Sequence, residues 1–196
     1  MNKPPHVHTK PTREEAEKAI RTLLAYTGDD PLRSGLTDTP ERVVRAFAEH
    51  FKGYHEDPAH VLNTTFDEIA EYDNIILLRD IPFYSHCEHH MAPILGVAHV
   101  AYLPSDQVVG ISKLARVVEI FAKRLQIQEK MTAQIAQAID AHLKPKGVAV
   151  MIEATHHCML GRGVNKSGTQ LITVHYTGVF QTDLTKQAEI RTLFLK

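Results

Sequence analysis

Four β-rich runs, arranged as two pairs with a helical stretch between them, limit what this chain can fold into. "NIILLRDIPFYS" (74–85) and "ILGVAHVAYLP" (94–104) make the first pair; "VAVMIEATHHCML" (148–160) and "TQLITVHYTGVF" (169–180) make the second. Runs of β-branched and aromatic residues bounded by Gly, Pro and Asn are strand signals, and a short connection lets neighbouring strands pair antiparallel. Between the pairs, Leu114, Val117, Val118, Phe121 and Leu125 recur at the helical period, with Ser112 expected to cap their helix. Met131, Ile135, Ile139 and Leu143 resume that period after "QIQ".

Two more helices are expected ahead of the strands. Thr12 with Glu15 forms a capping box before the apolar face of Ala16, Ile20, Leu23 and Leu24, and Gly28 closes that helix. Thr39-Pro40 opens the second, whose expected buried stripe is Val43, Val44, Phe47 and Phe51. The order α, α, β, β, α, α, β, β is that of an α+β domain with an antiparallel sheet and a helical N-terminal extension. The expected boundaries are a loose tail over 1–11, the extension over 12–60 and the main domain over 61–196.

A formal charge of −1 gives no broad electrostatic attraction for nucleic acid or an anionic membrane, so any basic site must be local. The N-terminal "MNKPPHVHTKPTREE" has no apolar core of a signal peptide, and no run approaches the ~18 apolar residues of a membrane span. A reducing cytoplasm is therefore expected, which turns Cys87 and Cys158 toward metal binding or catalysis rather than a disulfide.

The chemistry concentrates in "FYSHCEHHMAPI" (83–94), between the first two strands. Cys87-x-x-His90 is a metal-ligand spacing. If the third run stays extended to its end, His156 and Cys158 face one side and His157 the other, so Cys158 can complete a Cys/His/Cys set. Three protein ligands with an open position is the catalytic zinc pattern, which leaves His89 and His156 free for proton transfer. The same spacing also admits a closed structural site with His89 or His156 as fourth ligand. Lys113 and Arg116 near a helix start, and Arg162 in the loop after Cys158, together suggest an anionic substrate, although each could be a solvated surface charge, and Lys113 alone reads equally as one. A zinc deaminase is the nearest enzyme rival, because "His86-Cys-Glu88" fits H-x-E; no P-C-x-x-C follows it.

At these residues the sequence resembles the GTP cyclohydrolase I family. The likeness covers about residues 12 to 195 and rests on "TPERV" (39–43), "CEHHMAP" (87–93), "VVGISKLARVVEIFAKRLQIQE" (108–129), "HHCMLGRGV" (156–164) and "GVF" (178–180). It implies the tunnelling fold, an antiparallel sheet backed by two helices whose strands close into an oligomeric barrel. It also implies a homodecamer of two pentamers with sites at subunit interfaces. The implied reaction converts GTP and water to 7,8-dihydroneopterin triphosphate and formate, the first step of folate or pterin synthesis. Carried over by motif, Zn2+ is held by Cys87, His90 and Cys158 and activates the water that attacks C8, while His89 and His156 move protons. Glu129 pairs with the guanine N1/N2 edge; Lys113, Arg116 and Arg162 take the triphosphate, with Ser112 and Arg42 as weaker contributors. A pterin- or nucleotide-binding member without this chemistry is the rival within the same fold. Where the family has a Thr-Ser pair in the last strand, this chain has Thr173-Val174. His86 and His157 receive no role.

Overall fold

The computed structural model describes residues 10–66 and 74–195; most of the expected tail, with His6 and His8, lies outside them. The chain forms two compact units, Met1–His50 and Phe51–Lys196.

The first unit is a pair of helices, α1 (Arg13–Tyr26) and α2 (Thr39–His50). The capping box forms as expected: the Thr12 hydroxyl accepts from the Glu15 N–H, and the Glu15 carboxylate accepts from the Thr12 N–H at 2.8 Å. Gly28 follows the helix end with φ +91°, a conformation that favours glycine. The buried stripes are not realised within one chain. No residue of α1 is buried, Leu23 is exposed, and in α2 only Pro40 is buried while Val43 and Val44 are half-covered and Phe47 is exposed. The reason is geometric: two short helices side by side offer each apolar face one neighbour, and a core needs a second layer.

The second unit begins with a 3-10 turn (Lys52–His55) and α3 (Pro58–Leu62), which Asp57 caps. It continues through β1 (Thr65–Phe66), β2 (Ile76–Cys87), β3 (Pro93–Leu103), β4 (Val108–Val109) and α4 (Ile111–Ala122). Then come β5 (Leu125–Gln126), α5 (Gln128–Leu143), β6 (Gly147–His156), α6 (His157–Leu160) and β7 (Leu171–Tyr176). Helices α7 (Val179–Thr182) and α8 (Leu184–Phe194) close the chain. Strands β1 and β4 form a small ribbon, and the main sheet has the order β5-β2-β3-β6-β7. Its long neighbours are antiparallel, and only the two-residue β5 runs parallel, beside the end of β2.

Strand β2 shows the period-2 pattern of a strand against a core: Ile81, Phe83, Ser85 and Cys87 are buried while Pro82 and Tyr84 point outward. Strands β3 and β6 are buried on both faces. On one side Ala98, Val100, Val150 and Ile152 meet Leu114 and Val118 of α4 and Ile135 and Ile139 of α5. On the other, Ala101, Leu103, Ala149 and Met151 meet Phe180, Ile190 and Phe194.

Three boundaries differ from the sequence expectations. Gly110, not Ser112, is the N-cap of α4, with no side-chain capping bond, so Ser112 falls in the first turn. Leu125 leaves the helical period for β5. β6 stops at His156, and residues 157–160 make a helical turn rather than more strand. The sequence reading also passed over α8, whose apolar residues are scattered around the helix, with Leu184 exposed and Ile190 buried. Its local signal is Asp183, whose carboxylate accepts from the N–H groups of Thr185 (2.8 Å) and Lys186 (3.2 Å).

Candidate metal centre and active site

Three strand ends meet at one end of the sheet. Register pairs His86 of β2 with Pro93 of β3, and Ile94 of β3 with His156 of β6, so the last residues of β2 and β6 flank the first residues of β3. The β2–β3 connection is tight: the Cys87 N–H donates to the Ala92 carbonyl and the Met91 N–H to the Cys87 carbonyl, both at 2.9 Å, with Met91 at φ +53°. That reversal brings His90 back over Cys87, with Nδ1 3.9 Å from the Cys87 sulfur.

Cys158 arrives from α6 rather than from a straight strand, which overturns the alternation argument for its direction. The turn still delivers it: the ligand atoms of Cys87, His90 and Cys158 all lie within 4.8 Å of one another. Among the described residues no other group of three His, Cys, Asp or Glu side chains is gathered this closely. Both cysteines are free thiols. Burial pushes the Cys158 thiol up from its usual range, and the neighbouring Cys87 sulfur raises it further through hydrogen bonding and charge repulsion; Arg162 acts in the other direction. Two crowded thiols resist ionising together unless a cation lies between them, and two sulfurs with an imidazole are donors that suit zinc. The residues present therefore fit such an ion.

The other candidates fall into two groups. Arg162 donates from Nη1 to His90 Nε2 at 2.9 Å; a guanidinium only donates, so Nε2 accepts and Nδ1 is the nitrogen turned to sulfur. His156 is half-buried with Nε2 2.8 Å from Gln128 Oε1. Burial lowers its pKa from the ordinary imidazole value, against the opposing pull of the Glu129 carboxylate at the start of α5. His89 is exposed in the turn, its ring centroid 6.3 Å from that of His90. His86 packs edge-on against Phe51 at 5.3 Å.

Ser112, Lys113 and Arg116 lie elsewhere. Helix α4 packs on β2, and its far end leads into β5 beside Cys87, so the start of α4 lies toward the opposite end of the sheet. At 1.5 Å per residue, Lys113 is about 15 Å along the axis from the Lys123 end. Arg116 lines a cleft of about 280 Å³ with Lys52, Glu56, Val61, Glu119 and Ile120, none of them a member of the Cys/His set. Arg42 is in the first unit, paired with Asp38 at 3.2 Å.

The profile of the GTP cyclohydrolase I family matches residues 16–194. The chain belongs to the GTP cyclohydrolase I family. Proteins named GTP cyclohydrolase 1 resemble it along nearly its whole length. That of Allorhizobium ampelinum is 56% identical over 185 residues, covering 94% of this chain and 92% of the relative. The Brucella suis protein is 57% identical over 187 residues, covering 95% and 88%, and that of Brucella anthropi is 56% identical over the same length. The α+β architecture described above is thus the tunnelling fold, and the protein is a GTP cyclohydrolase I, an enzyme. No helix among the described residues is long and apolar enough to cross a membrane.

Sequence reasoning missed the polar side chains behind this GTP cyclohydrolase I site. Gln128 and Thr132 are buried on the face of α5 that also carries Met131, Ile135 and Ile139. Two polar residues four apart on an otherwise apolar helical face were the available signal.

Proposed function

We propose that the protein opens the imidazole ring of GTP to give 7,8-dihydroneopterin triphosphate and formate, with Zn2+ held by Cys87, His90 and Cys158. The observation that carries this reading is the convergence of those three ligands, with His156 and Arg162 beside them, at one end of the sheet. A zinc ion held by these three residues would supply Lewis acidity for activating water near neutral pH. The chain's own residues do the rest. His89 and His156 carry protons to and from the purine and ribose atoms as C8 leaves. Glu129 accepts from the guanine N1 and N2 hydrogens, and adenine would leave it unpaired.

Arg162 binds the triphosphate from the metal side. Lys113, Arg116, Ser112 and the uncapped N–H groups of α4 offer a second anion site, and Arg42, in the first unit, is a separate candidate for the triphosphate. The position of the α4 groups at the other end of the sheet supports a site shared between copies, in a homodecamer of two pentamers. The cytoplasm is the proposed compartment, and folate or pterin synthesis the proposed pathway.

The test is stoichiometry. Purified protein supplied with GTP is expected to release one formate per dihydroneopterin triphosphate, to lose activity on chelation and to regain it with Zn2+. Metal-loaded protein that binds GTP yet leaves C8 in place would support the rival reading of a binding protein.

A further inference from the structure

Gln128 is fully buried, and every polar atom of its side chain is engaged. Its Nε2 lies 3.1 Å from the Ile152 carbonyl, 2.9 Å from the Leu171 carbonyl and 3.1 Å from Thr173 Oγ1. Backbone carbonyls only accept, so the amide nitrogen must be the end that faces them; a flipped amide would set oxygen against two carbonyl oxygens. The hydroxyls agree. Thr132 Oγ1 donates to the Gln128 carbonyl at 2.7 Å, which uses its single proton. The 2.6 Å contact between Thr132 and Thr173 therefore takes its proton from Thr173, whose oxygen is left to accept from Gln128. The two amide hydrogens of Gln128 are shared among three acceptors, the Ile152 and Leu171 carbonyls and Thr173 Oγ1, and in each arrangement Oε1 is left to accept.

The consequence falls on His156. The atom facing its Nε2 at 2.8 Å is Gln128 Oε1, which can only accept. We infer that Gln128, ordered by Thr132 and Thr173, is a positioning residue that keeps a proton on His156 Nε2, so that Nδ1 is the nitrogen through which this ring exchanges protons. The inference rests on the proposed role of His156 as a proton carrier. It also gives Thr173, which stands where the family's Thr-Ser pair begins, a function: its hydroxyl orders the amide that holds the catalytic ring. An imidazole free to exchange tautomers would present a donor where an acceptor is needed in part of the population.

The experiment is magic-angle-spinning NMR of metal-loaded protein labelled with 13C,15N-histidine, the His156 signals being those lost in His156→Asn. The neutral ring is expected as Nε2–H with bare Nδ1. In Gln128→Met, which removes the acceptor at similar length, both tautomers are expected. There kcat should fall by ~10²-fold, KM for GTP should change by less than about threefold and zinc content should be unchanged. Thr173→Val is expected to move both readouts the same way by a smaller factor, and it decides the matter with the wild-type spectrum if Gln128→Met does not fold. A wild-type His156 carrying its proton on Nδ1 overturns the inference. So does wild-type kcat in Gln128→Met when His156→Asn is inactive. Wild-type turnover in His156→Asn would instead remove the proton-carrier role itself.

Discussion

His89 and His90 are adjacent in sequence and both exposed, but the turn after Cys87 folds the His90 imidazole onto the sulfur, and the different tasks proposed for them rest on that contact. On the proposed zinc site, His89→Ala should bind zinc as the parent protein does, measured by metal analysis, while turnover falls by ~10²–10⁴-fold. Loss of metal in that variant would make His89 a ligand. His99 is a histidine of another kind, buried on β3 against Phe194 at 6.0 Å between ring centroids. Burial holds its pKa below the ordinary value; Asp80 and Glu153 pull it up, and Arg79 pushes it down. The unfolded chain then binds a proton at a pH where the native chain does not, so this residue destabilises the fold as pH drops below about 6.5. Urea unfolding at about pH 7.5 and about pH 5.5 should show a smaller acid loss in His99→Gln than in wild type. An equal loss in both would place the acid sensitivity elsewhere.

The helices and strands were readable to different degrees, for physical reasons. The capping box at Thr12, the β-rich run of β2 and the apolar stripes of α4, as far as Phe121, and of α5 are local signals, and each appears where its residues place it. Helix α8 was not readable by stripe, since it meets the sheet through a few side chains such as Ile190 and Phe194. Its cap should matter accordingly: Asp183→Ala is expected to cost about 1 kcal/mol by chemical denaturation. No measurable loss would mean that packing alone holds the helix. The end of β6 was misjudged because "HHCML" suits a strand and a helical turn equally. The helical turn, together with the loop that follows, sets Cys158 and Arg162 around His90.

One chain gathers Cys87, His90, Cys158 and His156, with Glu129 close to His156, at one end of its sheet, while Lys113 and Arg116 of the proposed anion site lie on α4 toward the other. If the active site draws on two copies, chains carrying Lys113→Ala and chains carrying His89→Ala should each be nearly inactive alone. Mixed by co-refolding, they should recover activity in about a quarter of the sites, through sites whose two contributors are both intact. No recovery would place both groups in one chain's site. The half-covered faces of α1 and α2 suit the same arrangement, since such apolar surface is what a neighbouring copy covers.

By itself the sequence determined the main helices and long strands, the candidate ligand types and the family, because each depends on residues near one another in the chain or on motifs kept in order. Only the tertiary structure decided which nitrogen of His90 meets the sulfur, that Cys158 arrives on a turn, and that a buried amide at Gln128 faces His156. Those facts depend on register between strand ends far apart in sequence, which no periodicity records. The "FYSHCEHHMAPI" cluster supplied the chemistry, and the pairing of β2, β3 and β6 supplied its geometry.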